Sequence, residues 1–163
     1  MRNPMIQMRL RGTAREHRPM NNSFGIVRNQ NTQAHQGWDL EAPIGTPIFA
    51  ISQGKVHSTP NGGAYGRQVI LAFSHRGKLH YAHYAHLSTV SVTAGQEVTE
   101  GTLLGTSGAT GNAANLPVEE SHLHFEIRLT PTPGLGLANR VDPGSVLGFS
   151  VYANREDGMS GGY

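Results

Sequence analysis

His122-Leu123-His124-Phe125-Glu126-Ile127-Arg128 alternates strictly between apolar residues and polar or ionisable ones. A period of two marks a strand, because successive side chains leave opposite faces of the pleat. Leu123, Phe125 and Ile127 are therefore assigned to a core face and His122, His124, Glu126 and Arg128 to the other, giving a half-buried strand. Same-face neighbours on a strand stand about 7 Å apart. One histidine can thus hold a cation while the next reaches a substrate or a water above it. Glu126 and Arg128 either lie beside such a site or, the preferred reading, are ordinary charges of that face.

Outward from this strand the text stays in the same style. Short runs rich in Val, Ile, Phe and Tyr predict strands near 24–28, 47–51, 54–59, 68–74, 78–86, 96–98 and 103–106, separated by turn chemistry such as Pro60-Asn61-Gly62-Gly63. The one expected helix is a turn or two from Asp142, where an N-cap aspartate precedes Pro143. The fold class is mainly β, an antiparallel sheet or barrel-like sandwich with very little helix. Residues 1–22 read as a polar N-terminal segment, 23–150 as the domain, and 151–163 as a C-terminal strand or flexible tail. Of 163 residues, 21 are Gly and 9 Pro, and charged residues make up only 15%; this suits a turn-rich β protein better than a helical bundle.

The composition also narrows the chemistry. There is no cysteine, so disulfides and thiolate metal sites are excluded and any metal must use histidine and carboxylate ligands. The net charge is +2, and the basic residues are dispersed apart from Arg9, Arg11, Arg15 and Arg18, which argues against nucleic-acid binding. A mildly basic surface suits an anionic polymer such as a cell wall. No run of 18 apolar residues predicts a membrane span, and the first twenty residues lack the apolar stretch of a secretory signal.

Nine histidines is a high count, and two further clusters carry them. Ala34-His35-Gln36-Gly37-Trp38-Asp39-Leu40 contains a glycine and is followed by Ala42-Pro43, so an extended or looped segment is expected. Taken alone, this pair more readily describes a surface histidine and a turn aspartate. His80-Tyr81-Ala82-His83-Tyr84-Ala85-His86-Leu87 places three histidines in seven residues. Regular alternation puts His80 and His86 on one face and His83 on the other, with His80 and His83 read as structural.

Together these segments resemble the lysostaphin/LytM-type zinc endopeptidases, which cut peptide cross-bridges in bacterial cell walls. The resemblance rests on His35-Gln36-Gly37-Trp38-Asp39, on Tyr84-Ala85-His86-Leu87 and on His122-Leu123-His124-Phe125-Glu126. A glycine frame accompanies them, with Phe24-Gly25, Ala42-Pro43-Ile44-Gly45-Thr46-Pro47 and Leu104-Gly105-Thr106-Ser107-Gly108 among its parts. It runs in order over roughly residues 23–147. It implies a LytM-like split barrel with a groove over the sheet, a single Zn²⁺ held by His35, Asp39 and His124, and His86 and His122 as catalytic histidines. Trp38 is expected to shape the substrate groove, and the acidic loop 112–120 to bear on specificity.

Two neutral imidazoles and a carboxylate leave zinc a place for water, whose pKa falls to about 7. The helical His-Glu-x-x-His of many metalloproteases is missing, so the general base must be another group. His122 is assigned to the water and His86 to the oxyanion or leaving group, with the reverse order left open. The implied substrate is the peptidoglycan stem-peptide cross-bridge, with a D,D-endopeptidase preferred. The place of action is the periplasm or the cell exterior, reached by a specialised secretion route or as part of a larger chain. A delivered antibacterial effector with an immunity or inhibitor protein would fit. The rivals are a non-catalytic wall-binding regulator of an amidase and a D-alanyl carboxypeptidase. A lipoyl-type carrier barrel is discounted because no lysine occupies the required hairpin.

Overall fold

The computed structural model describes residues 1–12 and 19–148; the C-terminal segment 151–163 lies outside the described residues. Twelve strands follow in chain order: β1 Gly25–Arg28, β2 Gln33–His35, β3 Trp38–Glu41, β4 Pro47–Phe49, β5 Gly54–Ser58, β6 Asn61–Gly62, β7 Gly66–His75, β8 Lys78–Val90, β9 Glu97–Val98, β10 Leu103–Ser107, β11 His122–Arg128 and β12 Arg140–Val141. The one α-helix among the described residues, α1 Pro143–Leu147, is capped as its sequence predicts, the Asp142 carboxylate accepting from the Gly144 amide at 2.9 Å. No helix among the described residues is long and apolar enough to cross a membrane.

All pairings are antiparallel. β1 and β2 form a separate hairpin, while the other strands make one sheet with the path β12-β11-β8-β7-β5-β9. β11 pairs with β8 along one edge and successively with β3 and β12 along the other. The expected mainly β, antiparallel fold with very little helix is what the structure has.

Leu123, Phe125 and Ile127 enter the core with Trp38, Leu40, Val69, Leu71 and Tyr84. Tyr84 keeps its hydroxyl satisfied there by accepting the Ile51 amide at 3.1 Å. The expectation that β11 is half-buried is corrected: all seven of its residues are buried. Its polar face is roofed, because Tyr65 stacks on His124 and Arg140 and Arg128 close on Glu126.

Three further expectations are revised. Trp38 is fully buried in the core and does not shape the groove. Residues 1–22 are more than a polar lead-in: Met5, Met8 and Leu10 are core residues. Leu10 bridges Leu40, with Arg11 N donating to Asp39 O and Glu41 N to Arg9 O, both at 2.8 Å. The segment therefore lies as an added strand along the outer edge of β3.

The third concerns β8. Between Val69↔Tyr84 and Arg67↔Leu87 it carries one residue more than β7, and His86 sits in that bulge with φ 60°. A bulge breaks the alternation of faces. His80 packs on Phe73 and His75, whereas His83 and His86 both turn toward His124, at ring-centroid distances of 6.2 and 6.0 Å. Regular alternation had placed these two apart.

Candidate metal centre

Cross-strand register builds the centre. Asp39 on β3 and His124 on β11 are direct partners, which brings their Cβ atoms within about 5.5 Å of each other. His35 ends β2, and the chain then turns through Gly37 into β3. Gly37 is required because a Cβ there would collide with the Phe125 carbonyl oxygen. The turn can therefore press against β11 and deliver His35 beside Asp39.

His35 Nε2 lies 3.2 Å from Asp39 Oδ1, and His124 Nδ1 lies 2.7 Å from the same oxygen. The three donor atoms all fall within 4.8 Å of one another. A tetrahedral zinc with bonds of about 2.0–2.1 Å spaces its donors by roughly 3.3 Å, so this set fits one ion of that size.

The tautomers are set for the same purpose. His35 Nδ1 meets the Ser23 carbonyl oxygen at 2.8 Å. A carbonyl only accepts, so Nδ1 carries a hydrogen there, and Nε2 is the nitrogen turned to Asp39 Oδ1. His124 Nε2 donates to the Glu126 carboxylate at 2.8 Å, leaving Nδ1 for a cation. This is the carboxylate–histidine arrangement that orients metal ligands.

His122 and His86 stand beside the trio with ring centroids 4.9 Å apart. His122 Nδ1 is directed at Glu120 O (3.0 Å) and His86 Nδ1 at Thr110 O (2.8 Å). Both present a bare Nε2, and His122 Nε2 is 3.7 Å from Asp39 Oδ1. All five residues expected at the site thus converge on one groove of about 260 Å³, which Arg11, Arg28, Gln36, Tyr65, Asn112 and Leu116 also line.

The electrostatics follow from burial and pairing. Burial alone would raise the Asp39 carboxyl, but His35, His122 and His124 outweigh it and hold it well below the usual aspartate range. Burial disfavours the charged form of His124, yet its bonds to Asp39 and Glu126 prevail and push it up to about 9. A proton thus occupies the bonding seat that a cation would take. His86 is pushed the other way, to about 3, by burial and then by His122 and His124. Burial also lowers His122, with Arg11 adding to it and Asp39 opposing.

Sequence reading missed Glu126 and its surroundings. Glu126 is not an ordinary strand-face charge. It is fully buried and accepts from His124, Tyr65, Arg128 and Arg140 at 2.6–2.9 Å. A second group of possible ligands, His83, His124 and Glu126, shares this carboxylate. The two guanidiniums already saturate it, and His83 and Glu126 are closed to solvent, so the groove-facing trio is the better seat. Arg11 and Arg28 were also missed as site residues: both reach Asp39 Oδ2, at 3.5 and 2.8 Å. Only the long-range fold brings them there.

A model of peptidase family M23 matches residues 33–143. The chain belongs to peptidase family M23. Its M23 region spans β2 to the start of α1 and so contains all five residues. The cell division protein DipM of Caulobacter vibrioides is 35% identical over 130 residues, 77% of this chain and 19% of that protein. The peptidoglycan DD-endopeptidase ShyA of Vibrio cholerae is 35% identical over 99 residues, 61% of this chain and 21% of its own length. The chain therefore spans about a fifth of these relatives. Among solved structures, the catalytic domain of lysostaphin from Staphylococcus simulans superposes with a TM-score of 0.56 at 31% identity, covering 78% of this chain and 87% of that one. The lysostaphin/LytM-like fold that the resemblance implied is the one observed.

Proposed function

We propose that this M23 domain is a zinc-dependent peptidoglycan endopeptidase that hydrolyses stem-peptide cross-links, a D,D-endopeptidase in its bond preference. The observation that carries the reading is the convergence of His35 Nε2, Asp39 Oδ1 and His124 Nδ1 at the groove, with each imidazole oriented through its other nitrogen by Ser23 O and Glu126. The similarity to a named DD-endopeptidase supports the substrate class. The place of action is then where the polymer lies, in the periplasm or outside the cell.

His35, Asp39 and His124 hold the ion. A zinc ion in this seat supplies an acidified water and a Lewis acid for the peptide carbonyl. His122, whose bare Nε2 lies closest to Asp39 of the two catalytic histidines, takes the proton of the attacking water. His86 is also bare at Nε2, so it must gain a proton before it can serve the oxyanion or the leaving amine. The proton taken up by His122 reaches it through water in the groove that both rings line. Thr110 O and Glu120 O fix both rings so that neither nitrogen has to be reoriented during turnover.

Mass spectrometry of fragments released from purified peptidoglycan tests the reading. Cross-linked dimers should be split into monomers, the splitting should stop with a chelator, and added zinc should restore it. Intact dimers with a zinc-loaded protein would overturn it, and release of terminal D-alanine alone would make it a carboxypeptidase.

A further inference from the structure

Two cations at the edge of the metal centre share one carboxylate oxygen. Arg28 Nη2 and Arg11 Nη2 both point to Asp39 Oδ2, at 2.8 and 3.5 Å. Both also reach the neutral amide oxygen of the buried Asn22, at 3.2 and 3.1 Å. The other oxygen of Asp39 is turned to the imidazoles. The additional carboxylate near this pair among the described residues is Glu120, 3.7 Å from Arg11 Nη1 and beyond hydrogen-bond range. Once Asp39 is committed to a metal, the two guanidiniums outnumber the negative charge that the described residues place around them.

The two cations differ in access. The Arg11 side chain is 10% exposed, and its Nε and Nη1 are sealed from solvent without a hydrogen bond among the described residues. It acts as a buried charge whose field is weakly screened. The Arg28 side chain is 35% exposed and lines the groove. Its Nε is held by Asn21 O and its Nη2 by Asn22 and Asp39. Nη1 has no hydrogen bond among the described residues and is left for a ligand.

We propose that Arg28, backed by Arg11, is a subsite for a substrate carboxylate, the one carried by the residue that leaves as the amine. This rests on the peptidoglycan reading above and sharpens it. Arg28 is separated from the metal seat by a single carboxylate, so an anion bound at Nη1 lies next to the scissile bond. In a cross-link from a D-alanyl carbonyl to diaminopimelate, the scissile nitrogen sits on a carbon that bears a carboxylate. The amine of a glycine bridge has no carboxylate at that place. The arrangement therefore selects the diaminopimelate type, and amidation of that one carboxylate removes what Arg28 recognises.

The test uses the zinc-loaded wild-type protein and two purified muropeptide dimers, one with the diaminopimelate carboxylate beside the cross-link free and one with it amidated. The free dimer should be cut with kcat/KM about 10- to 100-fold higher, the range expected for loss of a charge-assisted hydrogen bond. R28Q, with its zinc content measured, should bring the two rates close together. Calorimetric binding of the matching free and amidated tripeptide fragments reads the subsite without turnover and should show the same order. Equal cutting of both dimers by the wild type overturns the carboxylate subsite while leaving the endopeptidase intact. If neither dimer is cut at full zinc occupancy, the endopeptidase reading fails. The subsite then stands on the fragments alone, and equal binding of the two overturns it too.

Discussion

Glu126 lies one pleat along β11 from His124 and accepts its Nε2 hydrogen at 2.8 Å, so the residue that orients this imidazole comes from the same strand as the candidate ligand. Glu126→Gln keeps the shape but removes the charge that holds the ring and balances Arg128 and Arg140. Zinc affinity, read by competition with a chelating dye, should fall about 10- to 100-fold in a protein that still folds. An unchanged affinity would reduce Glu126 to a structural anchor.

The five histidine and aspartate residues should separate into two classes. His35→Ala, Asp39→Ala and His124→Ala are expected to lose the metal itself. His122→Ala and His86→Ala are expected to keep it and to lose about 10²–10⁴ in turnover, the usual range for a proton-transferring group. Metal analysis and dimer cleavage on the same preparations check the division. Full activity in both classes would sink the assignment.

His86 sits at φ 60°, a conformation that costs an ordinary side chain about 1–2 kcal/mol and a β-branched one more. His86→Asn and His86→Val both delete the imidazole, but only asparagine tolerates this backbone well. The valine variant should be less stable than the asparagine variant by about 1–2 kcal/mol in denaturant unfolding. Equal midpoints would mean that the bulge relaxes at no cost.

His83 is fully enclosed, and burial pushes its imidazole down to about 4, against the pull of the Glu126 carboxylate 3.8 Å from its Nδ1. The unfolded chain binds a proton on this ring near the ordinary value of about 6.5, and the folded chain only near 4. Between those values the unfolded state holds more protons. The stability owed to the neutral ring is thus complete above about pH 6.5 and declines as the pH falls toward 4, by about 3 kcal/mol in all. Unfolding curves of wild type and His83→Gln across this range should differ in slope, and parallel curves would refute the claim.

Leu10 is buried against Leu40. Leu10→Ala should cost about 2–4 kcal/mol, as for other core leucines. A shift of the denaturant midpoint within error would show that the N-terminal segment is only loosely applied.

Much of this was legible because the code was local. The alternation in β11 assigned Leu123, Phe125 and Ile127 to the core, and Asp142-Pro143 marked the helix start. What escaped depends on distant pairing. β3 is only four residues long and follows a glycine, so its partnership with β11 is invisible until Asp39 meets His124. The bulge at His86 leaves no signature in Tyr84-Ala85-His86-Leu87, and alternation alone therefore separated His83 from His86. Glu126 and Arg128 carried the ordinary pattern of a solvated face, and only the roof of Tyr65 and Arg140 makes them interior. Arg11, embedded among several arginines, had nothing to distinguish it until its strand was laid against β3.

That strand has a practical bearing on how the protein is handled. The family's borders begin at residue 33, whereas the outer rim of β3 is closed by residues 9–11. A recombinant fragment trimmed to those borders would expose the unpaired amides and carbonyls of β3 together with the greasy patch beneath Met5, Met8 and Leu10. Such an open rim invites neighbouring molecules to zip onto it, so the shortened domain should clump in solution even with His35, Asp39 and His124 all present.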